Sequence, residues 1–166
     1  MLAQARSPFD PVPATSTVGA APLIVGFDGS TSAIAAVSWA ATSGAPIIVV
    51  RVLEPRPAGA ERSDTELDDA SRVFEGYTRS ASRRLEGCEW RAEVAEASSP
   101  SAGLAAAARR HGALAIVVGS HGRRHHSGVV GTEPHQLLTE ADVPIVVIPP
   151  QAGARLLHAP RAVTHA

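Results

Sequence analysis

The sequence predicts an α/β domain with a doubly wound, five-stranded parallel sheet and helices on both faces. Two observations carry this. Short β-branched runs such as Ile47–Val52 and Leu114–Val118 lack the alternation of a half-exposed strand, so they suit strands covered on both sides. Helical patterns of three- and four-residue periodicity separate them, and that order calls for parallel strands joined by right-handed crossovers.

Leu23–Phe27 is the first strand. Ala33–Thr42 follows as a helix, with Ile34, Val37 and Ala41 on one face, and Ser30 and Ser32 read as helix caps. After the strand Ile47–Val52, Ser63-Asp64-Thr65-Glu66 is a capping box. The helix it opens carries Leu67, Ala70, Phe74, Tyr77, Ala81 and Leu85, and Gly87 can close it. Glu89–Ala97 alternates, with Trp90, Ala92 and Val94 on one side, which predicts a half-exposed strand at a sheet edge. Ser99-Pro100 starts a third helix with a cap and an N1 proline, and His111-Gly112 ends it. Leu114–Val118 is the fourth strand, Thr132 caps a helix to about Ala141, and Pro144–Ile148 is the last strand. Residues 1–21 are a Pro-, Ala- and Thr-rich leader, 22–150 the domain, and 151–166 a slightly basic tail.

Composition removes several function classes. The chain has 166 residues, 45% of them hydrophobic, which is enough for one well-buried core. A net charge of -1 argues against a general nucleic-acid or anionic-membrane binder. All 15 basic residues are Arg, so a Walker A lysine, a Schiff-base lysine and a kinase phosphate-pairing lysine are excluded. The single cysteine, Cys88, permits neither an intrachain disulfide nor a thiolate zinc cluster, and its place after a helix end suits packing. No run reaches the length of a membrane span, and the first residues lack the basic and apolar regions of a signal peptide, so a cytoplasmic location is expected.

Chemistry concentrates in two loops. Asp28-Gly29-Ser30 follows the first strand. Gly119-Ser120-His121-Gly122 follows the fourth, and Gly128-Val129-Val130-Gly131-Thr132 leads into the next helix. Glycines ending a buried strand let backbone approach a phosphate, and the helix N-terminus beyond offers unpaired N–H groups to an anion. Sequence alone does not fix the strand order. If the chain winds outward through strands two and three and returns past strand one, the order is 3-2-1-4-5. Both loops then meet at the switch point, where such sheets bind ligands.

Asp28 also reads as an ordinary turn or cap residue, and Trp39 and Tyr77 as packing. His121, His125, His126 and His135 admit a metal hypothesis, but no cysteine joins them, and solvated loop histidines are the expected reading. Arg123-Arg124 suits a phosphate clamp or a solvated loop equally.

These segments resemble the universal stress protein family, small adenine-nucleotide-binding α/β proteins with an adenine-nucleotide alpha-hydrolase-like fold. The resemblance spans residues 22–149. It rests on Val25-Gly26-Phe27-Asp28-Gly29-Ser30, Trp39-Ala40, Val50-Arg51-Val52, Val117-Val118-Gly119-Ser120-His121-Gly122 and Asp142-Val143-Pro144-Ile145-Val146-Val147. It implies that Asp28 meets the adenine or ribose side of ATP, AMP or ADP and that Val52 contacts the base through its backbone. Gly119, Gly122, Arg123, Gly131 and Thr132 wrap ribose and phosphates, with Gly26 and Val118 alongside, and magnesium enters only with the nucleotide. It also implies a homodimer through the last strand, Ile145 to Ile148. The chain departs from the family's Gly-x2-Gly-x9-Gly-[Ser/Thr] pattern, because only eight residues, Arg123 to Val130, separate Gly122 from Gly131. Glu133 in the first helical turn competes with a bound anion. The leading expectation is a ligand-sensing stress-response module, at most a slow ATPase. A dimeric interaction scaffold without nucleotide is the alternative, and a slow phosphohydrolase using Asp28 and the loop histidines is the third.

Overall fold

A computed structural model describes residues 20–54, 76, 83–121 and 132–152. Its elements are β1 (Leu23–Gly26), α1 (Thr31–Ala40), β2 (Ile47–Leu53), β3 (Trp90–Glu96), α2 (Pro100–His111), β4 (Ala115–Gly119), α3 (Thr132–Glu140) and β5 (Ile145–Ile148). The strands form one five-stranded parallel sheet in the order β3-β2-β1-β4-β5. The expected winding is therefore the observed one, and β1 and β4 lie side by side at the reversal, with Val25 opposite Val117.

The apolar runs have no polar face because both sides of the sheet are covered. Alternate residues split between two cores. Val25, Val49 and Val117 pack with Ala36 and Val37 of α1. Ile24, Ile48, Val50, Ile116 and Val118 pack with Leu104 of α2 and Leu137 of α3. Trp39 lies partly buried against the first core, as its packing role requires.

Helix ends follow their local chemistry. Ser30 caps α1, accepting from the Ala33 N–H at 3.1 Å. Ser99 caps α2, accepting from the Ala102 N–H at 3.1 Å, and Gly112 closes that helix in the left-handed region at φ 57°. Residues 83–88 form turns in which Leu85 is buried and the partly buried Cys88 thiol reaches the Ala41 carbonyl at 3.5 Å. Of the helix expected from the capping box, Gly76 is helical and exposed, residues 63–75 and 77–82 lie outside the described residues, and Leu85, expected within the helix, stands in the turns instead, so the helix ends earlier than expected.

The edge strand departs from its expected facing. Trp90 packs on the first core, but Ala92 is exposed and Val94 is 47% exposed, while Glu93 and Ala95 on the opposite side are partly covered. β3 is outermost, and the end of α2 supplies its cover. Glu93 Oε2 pairs with His111 Nε2 at 2.8 Å, and its other oxygen meets the Arg110 guanidinium. Arg91 Nη2 lies 3.0 Å from His111 Nδ1, and a guanidinium only donates, so that nitrogen accepts and Nε2–H donates to Glu93.

Candidate functional site

The first wall of the site is the turn leaving β1. Phe27 N–H still donates to the Val50 carbonyl at 2.9 Å, continuing the sheet for one residue. The chain then turns at Gly29, whose φ of 82° favours glycine. Asp28 Oδ1 accepts from the Ser30 N–H at 2.9 Å, so the carboxylate orders its own turn and aims Ser30 into the α1 cap.

The second wall is the exit from β4. Ser120 N–H donates to the Ile148 carbonyl at 2.9 Å, and Ser120 Oγ lies 2.7 Å from His121 Nδ1. The His121 carbonyl accepts from Ser30 Oγ at 3.2 Å and from Ser32 Oγ at closer range. Segments about ninety residues apart thus meet through side chain-to-backbone bonds at the carboxyl ends of β1 and β4.

Two glycines of this region serve helix–sheet packing. A Cβ on Gly119 would lie 2.5 Å from Ser32 Oγ and 2.7 Å from the Ser32 backbone carbon. One on Gly26 would lie 2.8 Å from Leu104 Cδ1 of α2 and 3.1 Å from Val118 Cγ1. The expectation that an absent Cβ clears space for a phosphate is corrected at Gly119, because that space belongs to α1, and the space at Gly26 belongs to α2. Val118 is buried in the second core. Val52 turns its side chain toward α2, both Cγ atoms 2.7 Å from where a Cβ on Gly103 would stand. What Val52 and Val118 can offer a ligand is therefore backbone.

Thr132 lies within α3 and not before it, which corrects the cap role expected for it. Gly122, Arg123 and Gly131 lie outside the described residues, as do His125 and His126. The reading of His121 as a solvated loop histidine is overturned: the residue is partly buried, Ser120 meets Nδ1, and Nε2 is buried with no hydrogen-bond partner among the described residues. His135 is exposed on α3. No group of three or more His, Cys, Asp or Glu able to hold a metal occurs among the described residues. No described helix is long and apolar enough to cross a membrane.

Ser32 is the residue that sequence reasoning undervalued. Local sequence marks it only as a helix-start serine, because its partner is 89 positions away.

A doubly wound parallel sheet with two hydrogen-bonded loops at its switch point defines an α/β domain of the open-sheet class. The chain belongs to the universal stress protein family, whose family model matches residues 21–149. Among solved structures, a universal stress protein family member from Burkholderia pseudomallei is similar at 26% identity and a TM-score of 0.58, over 78% of this chain and 96% of that one. The Archaeoglobus fulgidus universal stress protein in complex with dAMP is 22% identical with a TM-score of 0.59, over 77% and 97%. A universal stress protein in complex with cAMP is 22% identical with a TM-score of 0.53, over 77% and 95%. No curated protein matches the chain.

Proposed function

We propose that this chain binds an adenine nucleotide, ATP in the first instance, in the crevice between the carboxyl ends of β1 and β4, and works as a ligand-sensing module. One observation carries the reading: the Asp28 turn and the Ser120–His121 exit are tied together at the switch point. The dAMP and cAMP complexes of similar proteins support the ligand class. In this arrangement Asp28 faces adenine or ribose, backbone at Val52 contacts the base, and Gly26 and Val118 lie alongside. Gly119, through its backbone alone, surrounds ribose and phosphates together with Gly122, Arg123, Gly131 and Thr132.

Turnover is not part of the proposal. The Ser32 hydroxyl donates to a carbonyl and is 2% exposed, which does not suit a nucleophile.

Equilibrium dialysis with labelled ATP and AMP tests the reading. Retention by the wild-type protein and roughly tenfold weaker retention by Asp28→Ala is the expected result. No retention at about 1 mM ligand, where binding would be worth only about -4 kcal/mol, refutes it.

The short glycine loop and Glu133 favour a second reading, a dimeric scaffold without nucleotide. β5 ends the sheet and Val147 on it is 37% exposed, so either reading carries a homodimer through Ile145–Ile148. Light scattering on Val147→Glu tests the dimer, which should become a monomer.

A further inference from the structure

We infer that His111, with Arg91 and Glu93 of β3, forms a proton-sensitive switch on the seam between the edge strand and α2: the neutral ring holds both residues, whereas the protonated ring keeps Glu93 and expels Arg91. The inference is independent of the nucleotide reading. This seam lies at the amino-terminal half of β3 and the end of α2, while the crevice lies at the carboxyl ends of β1 and β4.

Four side chains form one line. The Arg91 guanidinium donates to His111 Nδ1 at 3.0 Å, His111 Nε2–H donates to Glu93 Oε2 at 2.8 Å, and the other Glu93 oxygen accepts from the Arg110 guanidinium. An imidazole joins a donor to an acceptor in this way only when it is neutral, with one nitrogen bare. Both partners here are of a single kind, because a guanidinium has no acceptor and an ionised carboxylate has no donor. Burial raises the Glu93 carboxyl pKa, but the His111 bond and the Arg110 charge lower it further than that, so Glu93 stays an anion while an imidazole ordinarily titrates. The neighbours therefore dictate the tautomer: proton on Nε2, lone pair on Nδ1.

A proton taken up at Nδ1 changes the two contacts in opposite senses. Toward Arg91 a donor then faces a donor and a cation faces a cation, so the bond is lost and repulsion replaces it. Toward Glu93 the same proton turns a hydrogen bond into a full ion pair. The His111 and Glu93 side chains are 20% and 22% exposed, so their link is partly shielded from water. Arg91 is exposed, and solvent receives its guanidinium on release.

The charged groups facing the ring come from two elements. On the sheet they are Arg91 and Glu93, whose cross-strand neighbours on β2, Ile48 and Val50, are apolar. On α2 they are Arg110 and the carbonyl end of the helix, which favours a cation at its last residue. Arg109 of the same turn reaches instead to the Glu140 carbonyl and Asp142.

Double-mutant cycles on the full chain, read by urea titration at about pH 8 and about pH 5, separate the two links. The cycle of Arg91→Ala with His111→Ala should show a coupling of about threefold in the unfolding equilibrium constant at the higher pH, and none or one of opposite sign at the lower. The cycle of Glu93→Gln with His111→Ala should keep its coupling at both. Nitrogen NMR of the wild-type protein needs no variant: at the higher pH the His111 ring should carry its proton on Nε2 alone. An Arg91–His111 coupling equal at the two pH values, loss of both couplings together in acid, or a proton on Nδ1 at the higher pH overturns the inference.

Discussion

Replacing Gly119 by alanine should destabilise the fold by about 2 kcal/mol. The new Cβ would stand 2.5 Å from Ser32 Oγ and 2.7 Å from both the Ser32 Cβ and its backbone carbon. Ordinary van der Waals contact begins at 3.4 Å. A change of serine rotamer moves the oxygen but not the backbone carbon, so α1 itself must retreat by roughly 0.7 Å. That helix buries Ala33, Ala35, Ala36, Val37 and Ala40, and a retreat loosens all of them together with the Ser32–His121 bond. Overpacking of this kind costs about 1–3 kcal/mol, partly offset by the roughly 0.5 kcal/mol that alanine gains over glycine in a strand. For a chain of this size about 2 kcal/mol lowers the melting midpoint by about 4–8 °C, which calorimetry or circular dichroism reads directly. Gly76→Ala is the internal control. That glycine is helical and meets nothing within 4 Å, so alanine there should raise stability by about 0.5–1 kcal/mol. A Gly119→Ala protein melting within about 1 °C of wild type would refute the close-approach reasoning.

Other perturbations give separate readouts. Leu137→Ala removes a side chain with no exposed surface between α3 and the sheet, and should cost about 2–5 kcal/mol in a urea titration. Ser99→Ala deletes the α2 cap and should cost about 1 kcal/mol with little change in denaturant slope. Burial pushes the Glu93 carboxyl pKa up, but the His111 hydrogen bond and the Arg110 charge more than offset this and leave it lowered. Its stabilising contribution is therefore complete above the ordinary carboxylate range and disappears as pH falls through the lowered value. Glu93→Gln should accordingly weaken the protein by about 0.5 kcal/mol at pH 7, since Arg110 is exposed, and leave it level with wild type near pH 2.

Much of the architecture was legible because it depends on local rules. β-branched runs, the Ser99-Pro100 start and the Gly112 stop each announce themselves within a few residues, and all lie where expected to within one or two positions. Features that depend on a distant partner were not legible. The side of β3 that is covered is decided by α2, whose His111 and Arg110 recruit Glu93 inward against the apolar alternation. Gly119 reads as a phosphate glycine because sequence does not reveal that Ser32 occupies the vacated space. His121 looked like solvent-facing loop for the same reason, since its anchors, Ser30 and Ser32, belong to the first helix.

Arg109 Nη1 reaches the Glu140 carbonyl at 3.3 Å and Asp142 Oδ2 at 3.5 Å, clasping the far end of α3 to α2. His121 is fixed to α1 and Thr132 lies in α3, so the stretch between them begins and ends at different helices. The one-residue shortening relative to the family pattern falls between two positions held by different helices.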